Sequence, residues 1–84
     1  MKNDVTEELI AIVEYLSKPK YTPQTAAKIA FNLSIPLFEV QPILTYLQSK
    51  GCIKHKIING YDLIERIRMY PMVIELIAKN VLKI

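Results

Sequence analysis

Cysteine, histidine, glycine and tryptophan are nearly missing from this chain. Its 84 residues include one cysteine, one histidine, two glycines and no tryptophan. Cys52 alone cannot close an intramolecular disulfide, and a lone thiol fits a reducing cytoplasm. One Cys and one His also fall short of a zinc site, which needs several such ligands, so neither metal nor cofactor is expected. His55 and Cys52 read instead as structural residues, partly buried and buried respectively. No uninterrupted apolar run is long enough to span a bilayer: the C-terminal stretch is broken by Glu75, Lys79 and Lys83, and Met1-Lys2-Asn3-Asp4 carries no signal core. Secretion and membrane spanning are both unsupported, and the expected location is the cytoplasm. Glu7, Glu8 and Glu14 form no carboxylate pair suited to acid–base chemistry and read as solvated helix residues, so the chain is not expected to be an enzyme.

What remains is rich in apolar side chains, at 51% with a mean hydropathy of +0.19. That suffices for one small core, although a chain of this size buries only about 60–65% of its unfolded surface and gains from a partner subunit. The net charge of +3 and pI near 9.1 permit nucleic-acid binding without requiring it. The many isoleucines and lysines fit a thermophilic or AT-rich source.

Periodicity divides the chain into five parts. Asp4-Val-Thr-Glu7 reads as a capping box before a first helix carrying Leu9, Ile12, Val13 and Leu16 and ending before Lys18-Pro19. Thr22 and Pro23 fit the cap and first position of a second helix, about 23–32, with Ala26, Ala27, Ile29, Ala30 and Leu33 inside. Asn32-Leu33-Ser34 supplies a turn, and Ser34 and Pro36 mark the start of a third helix, about 36–50, that buries Val40, Ile43, Leu44 and Leu47. Pro42 kinks this helix without breaking it, and Gly51 ends it in a left-handed conformation. Asn59-Gly60, between the strand-like runs 52–58 and 61–64, is the signature of a type I′ hairpin. A last helix starts near Glu65 or at Pro71 and runs to the C-terminus.

Two helices crossing at a tight turn and leading into a hairpin resemble a winged helix-turn-helix domain, a mainly α fold with a small β-hairpin (α+β). Ile29-Ala30 and Leu33-Ser34-Ile35 match the Leu-Ala…Leu-Gly-Ile core of that family, with Ser34 in place of the turn glycine. Val40, Leu44, Leu47, Lys50-Gly51-Cys52-Ile53 and Tyr61-x-Leu63 match its second helix and wing. A narrower similarity is to small dimeric winged-helix proteins of archaeal chromatin with a C-terminal coiled-coil helix. The division expected is a winged-helix domain over 1–64 and a dimerisation element over 65–84.

The resemblance implies a homodimeric protein that binds double-stranded DNA, either a transcriptional regulator or a chromatin protein, with the third helix in the major groove and the wing on the backbone. The outer face of that helix presents Phe38, Gln41, Thr45 and Ser49. It has no cation, so phosphate contact falls to Lys28, Lys50, Lys54 and Lys56 around it, helped by Lys18 and Lys20; the same lysines could equally form a solvated rim. Ile67, Tyr70, Ile74, Ile77, Val81 and Ile84 repeat as a coiled-coil seam does, beside a second stripe of Met69, Met72, Val73 and Leu76. Two stripes exceed one packing face, which points to a dimer through Tyr70, Val73, Ile74, Ile77, Val81 and Ile84; burial of both in an intramolecular groove is the alternative. Phe38 and Pro42, apolar on a face meant for DNA, leave a protein-docking role open. No small-molecule ligand is expected.

Overall fold

The computed structural model describes residues 6–80. In chain order its elements are α1 (Glu7–Ser17), β1 (Gln24–Thr25), α2 (Ala26–Leu33), α3 (Leu37–Ser49), β2 (Ile53–Ile58), β3 (Tyr61–Arg66) and α4 (Tyr70–Ala78). This is the expected α+β winged helix, with some of its borders displaced from expectation.

The first helix begins at Glu7, where Thr6 is the N-cap and its hydroxyl accepts from the Leu9 amide at 3.1 Å. Asp4, the expected cap, lies outside the described residues. The second helix begins at Ala26 rather than Pro23, because the Thr25 hydroxyl takes the Lys28 amide at 3.1 Å and makes Thr25 the cap in place of Thr22. Gln24 and Thr25 form a short strand pairing antiparallel with Ile64 and Leu63, so the wing is a three-stranded sheet in the order β1-β3-β2. The last helix starts at the later of the two expected places, with Pro71 in its first turn. Glu65 and Arg66 instead complete β3, opposite Lys54 and Ile53.

Three helices stop at residues in the left-handed region: Ser34 (φ 57°), Gly51 (φ 76°) and Asn80 (φ 63°). After α2 the Ile35 amide reaches back to Ala30 at 3.0 Å, and after α3 the Cys52 amide reaches Leu47 at 3.0 Å. Both are Schellman closures, which satisfy carbonyls that the helix leaves open. Ser34 therefore ends α2 rather than capping α3, whose N-cap is Pro36 with no side-chain bond. A β-carbon makes this conformation costly, so Ser34→Gly is expected to stabilise the protein by about 0.5–1 kcal/mol, read as a higher urea midpoint at unchanged m-value. α3 is continuous through Pro42.

The core gathers Ile12 and Leu16 from α1, Ile29 from α2, Val40, Leu44 and Leu47 from α3, Ile53 and Ile64 from the sheet, and Met72 and Leu76 from α4. Cys52 is fully buried among them, and burial pushes its thiol pKa up, away from reactivity. Ala27 is exposed, unlike the other expected inner residues of α2. Polar bonds clamp the sheet to the helices. The Arg66 guanidinium donates to the Leu16 and Lys18 carbonyls at 2.8 and 2.7 Å, supplying the positive charge that the last turn of α1 lacks. The Tyr21 hydroxyl donates to the Ile64 carbonyl, and burial lifts its pKa to about 12. Tyr15 donates to Gln24 at 2.7 Å and accepts from Asn32 at 2.8 Å, fixing β1 against α1 and α2.

Over the described residues, the seam expected from Ile67 onward is not one continuous helix. Ile67 lies before α4, where its amide and that of Arg68 share the Cys52 carbonyl. The helix ends at Ala78, its closing turn completed by the left-handed Asn80, whose amide bonds Ile77 at 2.9 Å. Val81 and Ile84 lie outside the described residues. The two stripes nevertheless separate: Met69, Met72 and Leu76 are buried in the protomer's own core, while Tyr70 and Ile74 are about 60% exposed. Val73, expected on the partner side, is half-buried and packs against the core.

Candidate nucleic-acid interface

α3 carries its apolar positions Val40, Leu44 and Leu47 inward, so its helical period turns Phe38, Gln41, Thr45 and Ser49 outward, and all four are exposed. Phe38 is 74% exposed. The Thr45 hydroxyl donates to the Gln41 carbonyl at 3.1 Å, leaving its methyl as the group it offers outward. Ser49 likewise donates to its own helix, at the Tyr46 carbonyl, 2.6 Å away. Gln41 keeps both ends of its amide free of bonds to described residues.

Between α3 and the wing lies a cleft of about 280 Å³, lined by Ala26, Gln41, Leu44, Thr45, His55, Asp62 and Ile64. Strand alternation puts His55 on the face of β2 opposite Lys54 and Lys56, and hence toward this cleft. His55 was expected there as a partly buried structural residue. Its side chain is 39% exposed, and its Nδ1 sits 2.9 and 3.0 Å from the two Asp62 carboxylate oxygens. The two residues are diagonal neighbours on one face of the hairpin, a juxtaposition that follows from register once Asn59-Gly60 is recognised as the turn. His55 and Asp62 are thus residues of the candidate site that inspection of the lysines alone misses.

The cations divide into two groups. Lys28, with Lys18 and Lys20, is exposed and makes no ion pair with any described residue. Lys54 and Lys56 face away from the cleft and share Glu65, at 3.7 and 4.0 Å. Exposed pairs of this kind contribute at most about 1 kcal/mol, so the two ammonium groups can exchange Glu65 for another anion. Lys50 is placed differently. Glu75 of α4 lies 3.4 Å from its Nζ and raises its pKa, and the ammonium also sits over the Tyr46 ring at 5.4 Å. Burial pushes the Glu75 pKa upward, but a bond from Tyr46 and the charges of Lys50 and Lys79 outweigh it and leave the pKa lowered. This cluster joins the end of α3 to α4 and gives Lys50, one of the cations expected around α3, a carboxylate partner. Pro42 is also turned aside, toward α1, where with Thr6, Leu9, Ile43 and Tyr46 it lines a separate apolar cleft. Among the described residues no cluster of His, Cys, Asp and Glu could hold a metal, and no helix is long and apolar enough to cross a membrane.

No protein-family model matches the chain, and no curated protein matches its sequence. Solved structures do share its fold. A MarR family protein from Bacillus stearothermophilus superposes with a TM-score of 0.65 at 9% identity, over 94% of this chain and 55% of that one. ZitR of Lactococcus lactis, solved in a mutant form, gives 0.59 at 21% identity, over 94% and 56%. These likenesses define the architecture as a winged helix-turn-helix. The chain spans just over half the length of either protein.

Proposed function

We propose that the chain is a duplex-DNA-binding winged-helix protein, a transcriptional regulator or chromatin-associated protein. It acts as a cytoplasmic homodimer, by binding alone, with neither catalysis nor cofactor. The observation that carries this reading is the outer face of α3: Phe38, Gln41, Thr45 and Ser49 form an exposed strip that no other described element covers, bordered by the wing. α3 enters the major groove, where the Gln41 amide pairs with an adenine edge and the Thr45 methyl meets thymine methyls. Lys28 on α2, and Lys54 and Lys56 on the wing, contact phosphate. The exposed Tyr70 and Ile74 of α4, with the half-buried Ile77 beside them, join two protomers, and their separation sets the spacing of two half-sites.

A docking module for protein is the second reading, favoured by two exposed aromatics, Phe38 on α3 and Phe31 on α2 at 83%. Base discrimination separates the two. Gln41→Ala with Thr45→Ala is expected to flatten the preference among duplexes by about 1–3 kcal/mol per lost contact, while affinity for random sequence at the same salt is unchanged. Competition titrations against a duplex library measure this. Wild-type discrimination in the double variant would remove α3 as the reading element.

A further inference from the structure

The tip of the wing exposes an apolar side chain on each of its faces, with the Asp62 carboxylate beside the one contributed by Ile57. Asn59 (φ 52°) and Gly60 (φ 83°) form a two-residue turn, so β2 and β3 remain paired to their last residues, Ile58 opposite Tyr61 and Ile57 opposite Asp62. Alternation places Ile58 and Tyr61 on one face and Ile57 on the other. Tyr61 and Ile57 are 65% and 67% exposed and Ile58 is 39% exposed. An aromatic opposite a β-branched residue stabilises a hairpin, which accounts for Ile58 and Tyr61. It leaves Ile57 unexplained, since that side chain stands opposite a carboxylate and packs on little.

We propose that the wing tip is an apolar wedge that enters the minor groove and bends the duplex, a role that rests on the DNA-binding reading above. A side chain inserted at a base step is flanked by two base pairs, so a wedge must be apolar on both sides; a patch for docking protein needs only one side. The tip itself carries no cation with which to read a narrow groove electrostatically. The positive charge stands further back. Lys56 and Lys54 lie two and four residues behind Ile58 on its own face, a placement that meets the phosphates bordering a groove whose floor the tip has reached. Their shared partner Glu65 holds them at 3.7 and 4.0 Å, loosely enough for phosphate to replace it.

Ile57→Thr with Tyr61→Thr keeps strand-forming residues and the Asn59-Gly60 turn. Ile57→Thr alone, at a position with few contacts, serves if the double variant does not fold. Fluorescence transfer is measured between dyes at the two ends of a duplex of about 30 base pairs, short of the persistence length, with the full chain at saturation. The wild type is expected to bend the duplex by about 20–90°, and the variants to bind within about tenfold while leaving it straight. A straight duplex under the wild type, or equal bending by the variants, overturns the wedge and leaves DNA binding standing. Absence of binding by every form at low salt overturns both. If the substitutions instead change the sedimentation of the protein without DNA, the tip is a contact between copies of the chain and the wedge is likewise overturned.

Discussion

Leu47→Ala is expected to cost about 2–5 kcal/mol of folding stability. Leu47 is fully buried on the inner side of α3 and belongs to the core shared by every helix and the sheet. Its carbonyl also accepts the Cys52 amide that closes α3 and directs the chain into β2. A domain of this size has on the order of 4–12 kcal/mol in total, so the variant loses a large fraction of it. The thermal midpoint is expected to fall by roughly 8–40 °C in scanning calorimetry, at about 4–8 °C per kcal/mol. Phe38→Ala, on the exposed strip of the same helix, is expected to stay within about 0.5 kcal/mol of wild type. Comparable losses from both substitutions would mean that the outer face of α3 is packed in solution and not open to a ligand.

Ile74→Glu is expected to convert dimers into monomers without unfolding the protomer. The residue is 60% exposed and lies on the side of α4 away from Met72 and Leu76, so a carboxylate there is solvated in the isolated chain. At a dimer contact through Tyr70, Ile74 and Ile77 the same carboxylate is buried without a counter-charge, at a cost of about 3–5 kcal/mol, which raises the dissociation constant at least about a hundredfold. Sedimentation equilibrium at micromolar protein reads the change, with circular dichroism confirming the fold. A wild-type protein that sediments as a monomer, or a variant that dimerises as the wild type does, places any partner of this stripe elsewhere.

Local chemistry made much of the fold legible in the sequence. Asn59-Gly60 occupies the two positive-φ positions of its turn, and Gly51 ends α3, as residue type alone implies. The α3 period was equally readable, because Val40, Leu44 and Leu47 all point inward. Long-range pairing was not. Pro23 fits the first turn of a helix, yet β3 recruits Gln24 and Thr25 into the sheet and delays α2 to Ala26, a competition no local window contains. The start of the C-terminal helix, which sequence leaves open between Glu65 and Pro71, is decided for a related reason. Counting Ile67 through Ile84 gives a continuous helix, but the Cys52 carbonyl holds residue 67 outside α4, and Asn80 accepts the left-handed conformation that closes the helix. In the candidate site, alternation gave the directions of Lys54, His55 and Lys56 correctly, while the exposure of His55 depends on how far the hairpin projects beyond the core. The Glu75 partnership of Lys50 joins residues 25 positions apart and leaves no trace in sequence spacing.

The central claim, that this winged helix binds duplex DNA through lysines set around a cation-free α3, is tested most directly by the salt dependence of binding to a random-sequence duplex. Each phosphate neutralised contributes about −0.9 to the slope of log K against log salt. Wild-type protein is expected to show a steep slope, and Lys54→Ala with Lys56→Ala to reduce it by roughly two units while weakening all sequences alike. No binding at low salt, or affinity that does not change with salt, would contradict the account and leave the protein-docking reading of Phe38 and Phe31 in its place.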